Sequence, residues 1–316
     1  MTSSSRTPSE RAAILRLHSL GDVVLCQPVA SFCARYNSTL FITAEEYLPV
    51  AERFGTGIAC AGVPRSNAWR AIRREMAAFG PDRVVDLQGN LTTRLGTWPR
   101  EVPRFATDRR LRREALAGGA SMPPRALDFA RVAGFESSPP PVLTRAAVPG
   151  DGFHVALVCG GRWPMKSLPR GVVAELARLF IDLEGARVTL AGGPEDASEI
   201  AATASSVRRP AVSAYAGGGG IAGLLDVLER QHLVISPDSG PAHVSRALGV
   251  PTLVVFTSTS PVLGFWPAEG SFGPSAPCSP CHRHGGLRCR TGTMECRSSI
   301  LPRDVYDRAM EEAGRR

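Results

Sequence analysis

A two-part α/β fold with largely parallel sheets is what this sequence predicts, on three observations. Short apolar runs that read as buried strands alternate with amphipathic stretches that read as helices. Several of these runs empty into turns of Gly, Ser and Asp, the composition expected where a parallel strand hands over to a helix. A proline-rich stretch, from Ser137-Ser138-Pro139-Pro140-Pro141 to Pro149-Gly150, interrupts the alternation, and the pattern then restarts. With 316 residues, 43% hydrophobic and 21% charged, the chain has ordinary globular composition and length enough for two domains. The expected division is 1–148 and 149–300, with a last helix in 301–316 packing back across both.

Taken in order, the first half opens with an apolar run inside Arg11 to Leu17, read as a parallel strand. It leads into His18-Ser19-Leu20-Gly21-Asp22, and Val23 to Cys33 reads as a helix. Asp22 at that helix start is either a capping residue or a general base at the carboxyl end of a strand. Leu40 to Thr43 reads as a strand, Tyr47 to Phe54 and Trp69 to Phe79 as helices, and Gly80-Pro81 as a stop. Arg83 to Leu87 is a further strand, followed by Gln88-Gly89-Asn90, whose polar side chains either cap the next helix or face a ligand.

The second half begins with a strand at Phe153 to Val158 and a glycine-rich loop, Cys159 to Leu168, followed by a helix at Pro169 to Leu183. A strand at Arg187 to Leu190 ends in Gly192-Gly193-Pro194-Glu195-Asp196. Beyond Gly217 to Gly220 come a helix to Arg230 and the strand Leu233-Val234-Ile235. The turn after it, Ser236-Pro237-Asp238-Ser239-Gly240-Pro241, combines N-cap residue types, a glycine and a proline suited to the first helical position. The N–H groups and positive dipole end of the helix at Val244 to Leu248 would then receive an anion such as phosphate. Pro251 to Phe256 is a last strand before Thr257-Ser258-Thr259, and Arg303 to Ala313 a last helix.

Charge is unevenly spread. The net charge is +8. Residues 1–150 hold 20 Arg against 13 acidic residues, +7, whereas 151–316 hold 16 Arg and one Lys against 16 acidic residues, +1. Two clusters stand out, Arg65, Arg70, Arg73 and Arg74, and Arg104, Arg109, Arg110, Arg112 and Arg113. They suit an anionic partner, either nucleic acid or an acidic membrane or glycolipid surface. Of 37 basic residues, Lys166 alone is a lysine, which points to a place where a compact ammonium with three donors is needed.

Several classes are disfavoured. No apolar run approaches the roughly 18 to 20 residues of a membrane span. Met1 to Arg11 is polar with no apolar core, so no signal peptide is expected and the cytoplasm is the default compartment. The first strand is not followed by Gly-x-Gly-x-x-Gly, and neither a P-loop nor a Gly-x-Ser-x-Gly elbow occurs. Four of the eight cysteines cluster as Cys278, Cys281, Cys289 and Cys296, a spacing that permits a structural tetrahedral zinc. The remainder, Cys26, Cys33, Cys60 and Cys159, read as scattered small side chains.

Leu15 to Pro28, Leu-Arg-Leu-His-Ser-Leu-Gly-Asp-Val-Val-Leu-Cys-Gln-Pro, resembles the opening of the ADP-heptose lipopolysaccharide heptosyltransferases, glycosyltransferase family 9. Val85 to Leu91 is similar to that family's Asp-Leu-Gln-Gly-Asn segment, and Lys166 to Phe180 to its Lys-x-x-Pro helix. Leu190 to Glu195 resembles its Gly-Gly-Pro-Glu turn, and Asp238 to Pro251 its Asp-Ser-Gly-Pro-x-His motif with the following Leu-Gly-Val-Pro. Departures fall at His18, often serine there, at Ser167-Leu168, and at Thr257-Ser258-Thr259, which replaces a common Gly-Pro-Thr.

The resemblance implies a GT-B architecture, two Rossmann-like domains facing across a cleft, with acceptor on the first and nucleotide sugar on the second. It implies transfer of a heptose or related sugar from an ADP-sugar to a lipopolysaccharide inner-core or related glycan, with inversion and no required metal. By position, Asp22 would be the general base and Lys166 would pair with the diphosphate. Asp238 would bind sugar hydroxyls, Ser239, Gly240 and His243 would line the phosphate site, and Gly192 and Gly193 would let backbone approach the nucleotide. The acceptor would be an anionic glycolipid, so peripheral contact with an acidic cytoplasmic membrane face is expected. Two alternatives stand beside this reading. One is a basic nucleic-acid-binding protein with a cysteine-held zinc, disfavoured because aromatics are 6% of the chain and are not interleaved with the arginines. The other is a catalytically silent nucleotide-sugar-binding protein, disfavoured by the presence of Asp22, Lys166 and Asp238 together.

Overall fold

The computed structural model describes residues 10–265, 269–273, 276–282 and 284–315. The first nine residues of the polar stretch expected to lack a signal peptide lie outside them. Two compact units result: one of Met1–Ala106 with Arg125–Thr144, and one of Thr107–Pro124 with Arg145–Arg316. The chain thus enters the second unit twice. Its first visit is the arginine-rich helix Arg109–Leu116, capped by Asp108, whose Oδ1 accepts from the N–H of Arg110 and Leu111, both at 2.9 Å. Met122 then donates its N–H to the Val262 carbonyl at 2.8 Å.

The first unit carries four parallel strands: β1 (Arg11–Leu15), β2 (Ser38–Ala44), β3 (Ile58–Val63) and β4 (Arg83–Asp86). Their order is β3-β2-β1-β4. Burial on both faces explains the near-continuous apolar sequence of β1 and β2. β3 escapes the sequence pattern because Ile58-Ala59-Cys60-Ala61-Gly62 is small and only partly buried. The expected helix at Val23 to Cys33 is two, Leu20–Leu25 and Gln27–Ala34, with Pro28 in the first turn of the second.

Six parallel strands form the second unit's sheet. They are β5 (His154–Val158), β6 (Arg187–Gly192), β7 (Val212–Ala216), β8 (Leu233–Pro237), β9 (Thr252–Val255) and β10 (Ser271–Phe272). Their order is β10-β9-β8-β5-β6-β7. The helix Arg170–Glu184 buries Val172, Val173, Leu176, Ala177 and Phe180, an i, i+3, i+4, i+7 stripe, and closes on Gly185 at φ +62°. The C-terminal helix Pro302–Glu312 packs on that helix and on β9, with Val305, Tyr306, Ala309 and Met310 buried.

At the amino end of this sheet His154 and His232 stack with ring centroids 5.7 Å apart, and the His232 Nδ1 accepts the His154 backbone N–H at 3.1 Å. Burial, then the charges of His154, Arg315 and Arg145, hold His232 below its ordinary value of 6.5. An unfolded chain therefore takes up the proton first as pH falls, and stability drops from about pH 6.5 downward until the folded value is passed. Thermal unfolding between neutral pH and mildly acidic pH is expected to show this loss. His232→Asn, which keeps an acceptor for His154, should flatten it; an unchanged slope in the variant would remove His232 as the cause.

Candidate active site

Open parallel sheets present ligands at the carboxyl ends of the strands where chain order reverses, because diverging loops leave a crevice there. In the second unit that point lies between β5 and β8, which are neighbours although the chain visits β6 and β7 between them. Lys166 follows β5 and Asp238 follows β8. Their side chains meet: Lys166 Nζ lies 2.7 Å from Asp238 Oδ2, with 15% and 18% of the two side chains exposed.

Asp238 also accepts from Thr259 Oγ1 at 2.8 Å. Burial works against its charge, yet the ammonium of Lys166, its hydrogen bond, Thr259 and His243 outweigh burial and hold the carboxyl below the ordinary 3.8. Lys166 ends a single turn, Pro164–Lys166, whose Met165 is buried. Both backbone groups of Met165 are held, the N–H by the Gly286 carbonyl at 3.0 Å and the carbonyl by Thr257 Oγ1 at 2.7 Å. Gly285, at φ +94°, lies against the lysine stem so closely that an added Cβ would stand 2.7 Å from Lys166 Cδ.

The turn after β8 behaves differently from its expected capping. Helix Gly240–Ala247 has Ser239 at its cap position, but no side chain bonds back to the first turn. Ser239 Oγ instead meets Ser236 Oγ at 3.0 Å, and Asp238 is committed to Lys166 and Thr259. His243 packs its ring on Phe265, centroids 4.6 Å apart. Gly192 and Gly193 sit at the end of β6, where the Gly193 N–H donates to Asp196 Oδ2 at 2.9 Å. Asp196 also abuts Gly160, where a Cβ would have no room at all, 1.8 Å from the carboxyl carbon.

The first unit repeats the device. Its reversal lies between β1 and β4, and Asp22 follows β1. Asp22 does not cap its helix; its carboxylate pairs with the buried Arg16, and Arg125 Nε lies 3.9 Å from Oδ1. Arg16 is fixed by the carbonyls of Leu87 at 2.7 Å and His18 at 3.0 Å. Arg125 stacks on Phe105 with 4.7 Å from guanidinium carbon to ring centre. The turn is sharp: Ser19 takes φ +72°, at a cost of about 1 kcal/mol for a residue with a side chain. Gln88, after β4, accepts the Leu17 N–H at 3.1 Å and its Nε2 meets His18 Nε2 at 3.0 Å, while Asn90 caps helix Leu91–Thr97 through Thr93 N–H at 3.0 Å.

In the second unit the cysteine segment braces the Lys166 loop and the turn after β9. Ser279 Oγ donates to the Thr257 carbonyl at 2.9 Å and Cys281 N–H to the Ser258 carbonyl at 3.1 Å. Cys296 is buried with Met165 and Ala276, with Cys278 and Cys289 packed against them. All four sulfurs are thiols, and among the described residues no group of three or more His, Cys, Asp or Glu is placed to hold a metal ion. Cys278, Cys281, Cys289 and Cys296, whose spacing suits a structural zinc, are near neighbours in the fold. The thiols differ: Thr291 and the Met294 N–H hold Cys289 down at about 7, while burial and the neighbouring thiols push Cys296 up to about 11.

The fold matches solved structures along nearly its whole length. A glycosyl transferase family 9 protein from Veillonella parvula aligns with a TM-score of 0.76 at 18% identity, covering 98% of both chains. The E. coli heptosyltransferase WaaC, solved with ADP, aligns with a TM-score of 0.64 at 21% identity, covering 96% of this chain and 99% of that one. Two sheets of this kind, each with a polar turn at its reversal point, give the chain the GT-B fold of these solved structures. Residues 144–280 match the model of glycosyltransferase family 9 (heptosyltransferase), and lipopolysaccharide heptosyltransferase 1 of Pseudomonas aeruginosa is 29% identical over 242 residues. Over residues 144–280 the chain is similar to glycosyltransferase family 9. The stretch matched to the Pseudomonas protein is 69% of this chain and spans 66% of that relative's length.

A nearly buried ion pair is costly to halve, because removing one partner leaves the other charge without compensation, typically 3 to 5 kcal/mol for a fully buried pair. With some exposure on both sides, Asp238→Asn is expected to destabilise by about 2 kcal/mol and Lys166→Met by a similar amount. The double variant should cost clearly less than the sum of the two. Additive losses in denaturant unfolding would show that the two residues are not coupled.

Proposed function

We propose that this protein is an inverting glycosyltransferase that moves a heptose, or a related sugar, from an ADP-sugar onto a lipopolysaccharide inner-core or related glycan acceptor. The observation that carries the reading is the Lys166–Asp238 pair at the reversal point of the second sheet. An ammonium and a carboxylate side by side suit a nucleotide sugar, which offers a diphosphate to the one and hydroxyls to the other. Solved relatives named as binding ADP and ADP-2-deoxy-2-fluoro heptose support the same donor class.

On this reading the donor sits on the second unit, with Ser239, Gly240 and His243 lining its phosphates and Gly192 and Gly193 beside its nucleotide. Asp22 takes the proton of the acceptor hydroxyl as that oxygen attacks the anomeric carbon. The bond from that carbon to the diphosphate oxygen breaks on the opposite face, so configuration inverts. Negative charge that develops on the departing ADP is met by Lys166. Arg16 and Arg125 hold the Asp22 carboxylate in one orientation, so the lone pair that accepts the proton is aimed before substrate arrives. No step calls for a metal ion. The acceptor would be an acidic glycolipid at a cytoplasmic membrane face, which suits the arginine excess of residues 1–150.

The test is ADP release from ADP-heptose in the presence of a deacylated inner-core acceptor. Asp22→Asn should lower kcat by roughly 10²- to 10⁴-fold while the thermal shift given by donor is kept. Lys166→Ala should reduce that donor-induced shift. Full turnover by the Asp22 variant would overturn the mechanism, and stabilisation by other nucleotide sugars but not ADP-sugars would overturn the donor.

A further inference from the structure

The helix Leu91–Thr97 carries an apolar face that the other described residues do not cover. Leu91, Leu95 and Trp98 recur at i, i+4 and i+7, one side of a helix, and are 71%, 44% and 67% exposed. The opposite side, Thr93, Gly96 and Thr97, is buried. Gly96 lies flush on helix Ala68–Phe79, where an added Cβ would stand 2.7 Å from Ile72 Cγ2. The stripe is therefore presented outward on a rigid two-helix base.

Arginines surround it. Arg73, on the supporting helix, donates to the Leu95 carbonyl at 3.1 Å and the Trp98 carbonyl at 3.3 Å, with its guanidinium 5.4 Å from the centre of the Trp98 ring. Arg70 stacks on Trp69 at 5.0 Å and is exposed, as are Arg74, Arg94 and Arg100. Nearby acids offset only part of this: Glu75 pairs with Arg74 at 2.9 Å, and residues 65–100 hold seven arginines against three acidic residues. Among the described residues no helix is long and apolar enough to cross a membrane, so an apolar stripe of this length can lie on a bilayer but not span it.

We infer that Leu91, Leu95 and Trp98 form a membrane-docking face whose partner is an anionic phospholipid bilayer. Leucines and an amphipathic indole enter the headgroup boundary while the arginine rim meets lipid phosphates, the combination that favours shallow, salt-sensitive binding. Charge complementarity selects this occupant, because Arg70, Arg73, Arg74, Arg94 and Arg100 beside the stripe of one chain would repel those of a second copy. The inference rests on the proposed membrane-borne acceptor for its purpose, and its test does not use turnover.

The intact protein is mixed with phosphatidylcholine vesicles with or without phosphatidylglycerol and floated on a density gradient. The protein is expected to float with anionic vesicles, less so at high salt, and to stay behind with neutral ones. Brominated lipid should quench tryptophan emission in the wild type and much less in Trp98→Phe. Leu95→Ser with Trp98→Ser should abolish flotation, and each of Arg70→Gln, Arg74→Gln and Arg94→Gln should lower partitioning by roughly fivefold. Should the serine pair fail to fold, the arginine variants and the quenching carry the test. Unchanged flotation of the serine and arginine variants, or self-association in sedimentation velocity that the serine pair abolishes, would overturn the inference. Loss of turnover on a soluble acceptor with flotation intact would count against the proposed activity instead.

Discussion

An ammonium held 2.7 Å from a carboxylate, with less than a fifth of either side chain in contact with solvent, organises the ligand face of the second unit. Neither charge is stable in such a place alone, since desolvation penalises both. Each is therefore buttressed. Thr259 adds a hydrogen bond to Asp238, Thr257 and Gly286 pin the backbone of Met165, and Gly285 lies against the aliphatic stem of Lys166. The result is a lysine whose direction is fixed by groups from three separate loops. Such preorganisation lets a cation act on a neighbouring anion without first reorienting.

The same logic runs through the first unit with different chemistry. Asp22 could have been spent on capping its own helix, but Arg16 and Arg125 draw its carboxylate away. Arg16 is in turn immobilised by carbonyls from both sides of the β1–β4 boundary, so the two strands that diverge at the reversal point jointly aim one side chain. Gln88 stitches the same boundary, and the unusual His18 is held by it. The positive φ of Ser19 is the local strain accepted for this turn.

The cysteine segment supports the lysine loop from behind. Two cysteines separated by two residues, followed by two more, suit a tetrahedral metal on paper. In the fold Cys278, Cys289 and Cys296 pack with Met165 and Ala276 at the apolar back of the Lys166 loop. Serine and backbone groups of that segment, Ser279 and Cys281, grip Thr257 and Ser258. The triplet Thr257-Ser258-Thr259, which looked like a departure from a family motif, thereby becomes the joint between the cysteine segment, the lysine loop and Asp238.

Much of this protein was legible in its sequence. Apolar period and glycine turns identified most strands, because a strand buried on both faces must be apolar throughout. The lone lysine and the Asp-Ser-Gly-Pro turn marked the Lys166–Asp238 pair's two ends, since a residue type used once and a turn placed after a strand are local signals. Strands β3, β7 and β10 went unread because they are short or half exposed, so their composition carries little pattern. Pairing was beyond the sequence altogether. That Lys166 meets Asp238, that Arg125 joins Arg16 at Asp22, and that Thr93, Gly96 and Thr97 turn inward while Leu91, Leu95 and Trp98 turn out, depend on elements far apart in the chain. Sequence by itself determined which elements form and which residues could carry charge to a ligand. Only the tertiary structure decided which charges neutralise each other and which apolar face is left to solvent, because strand order, not chain order, sets the neighbours.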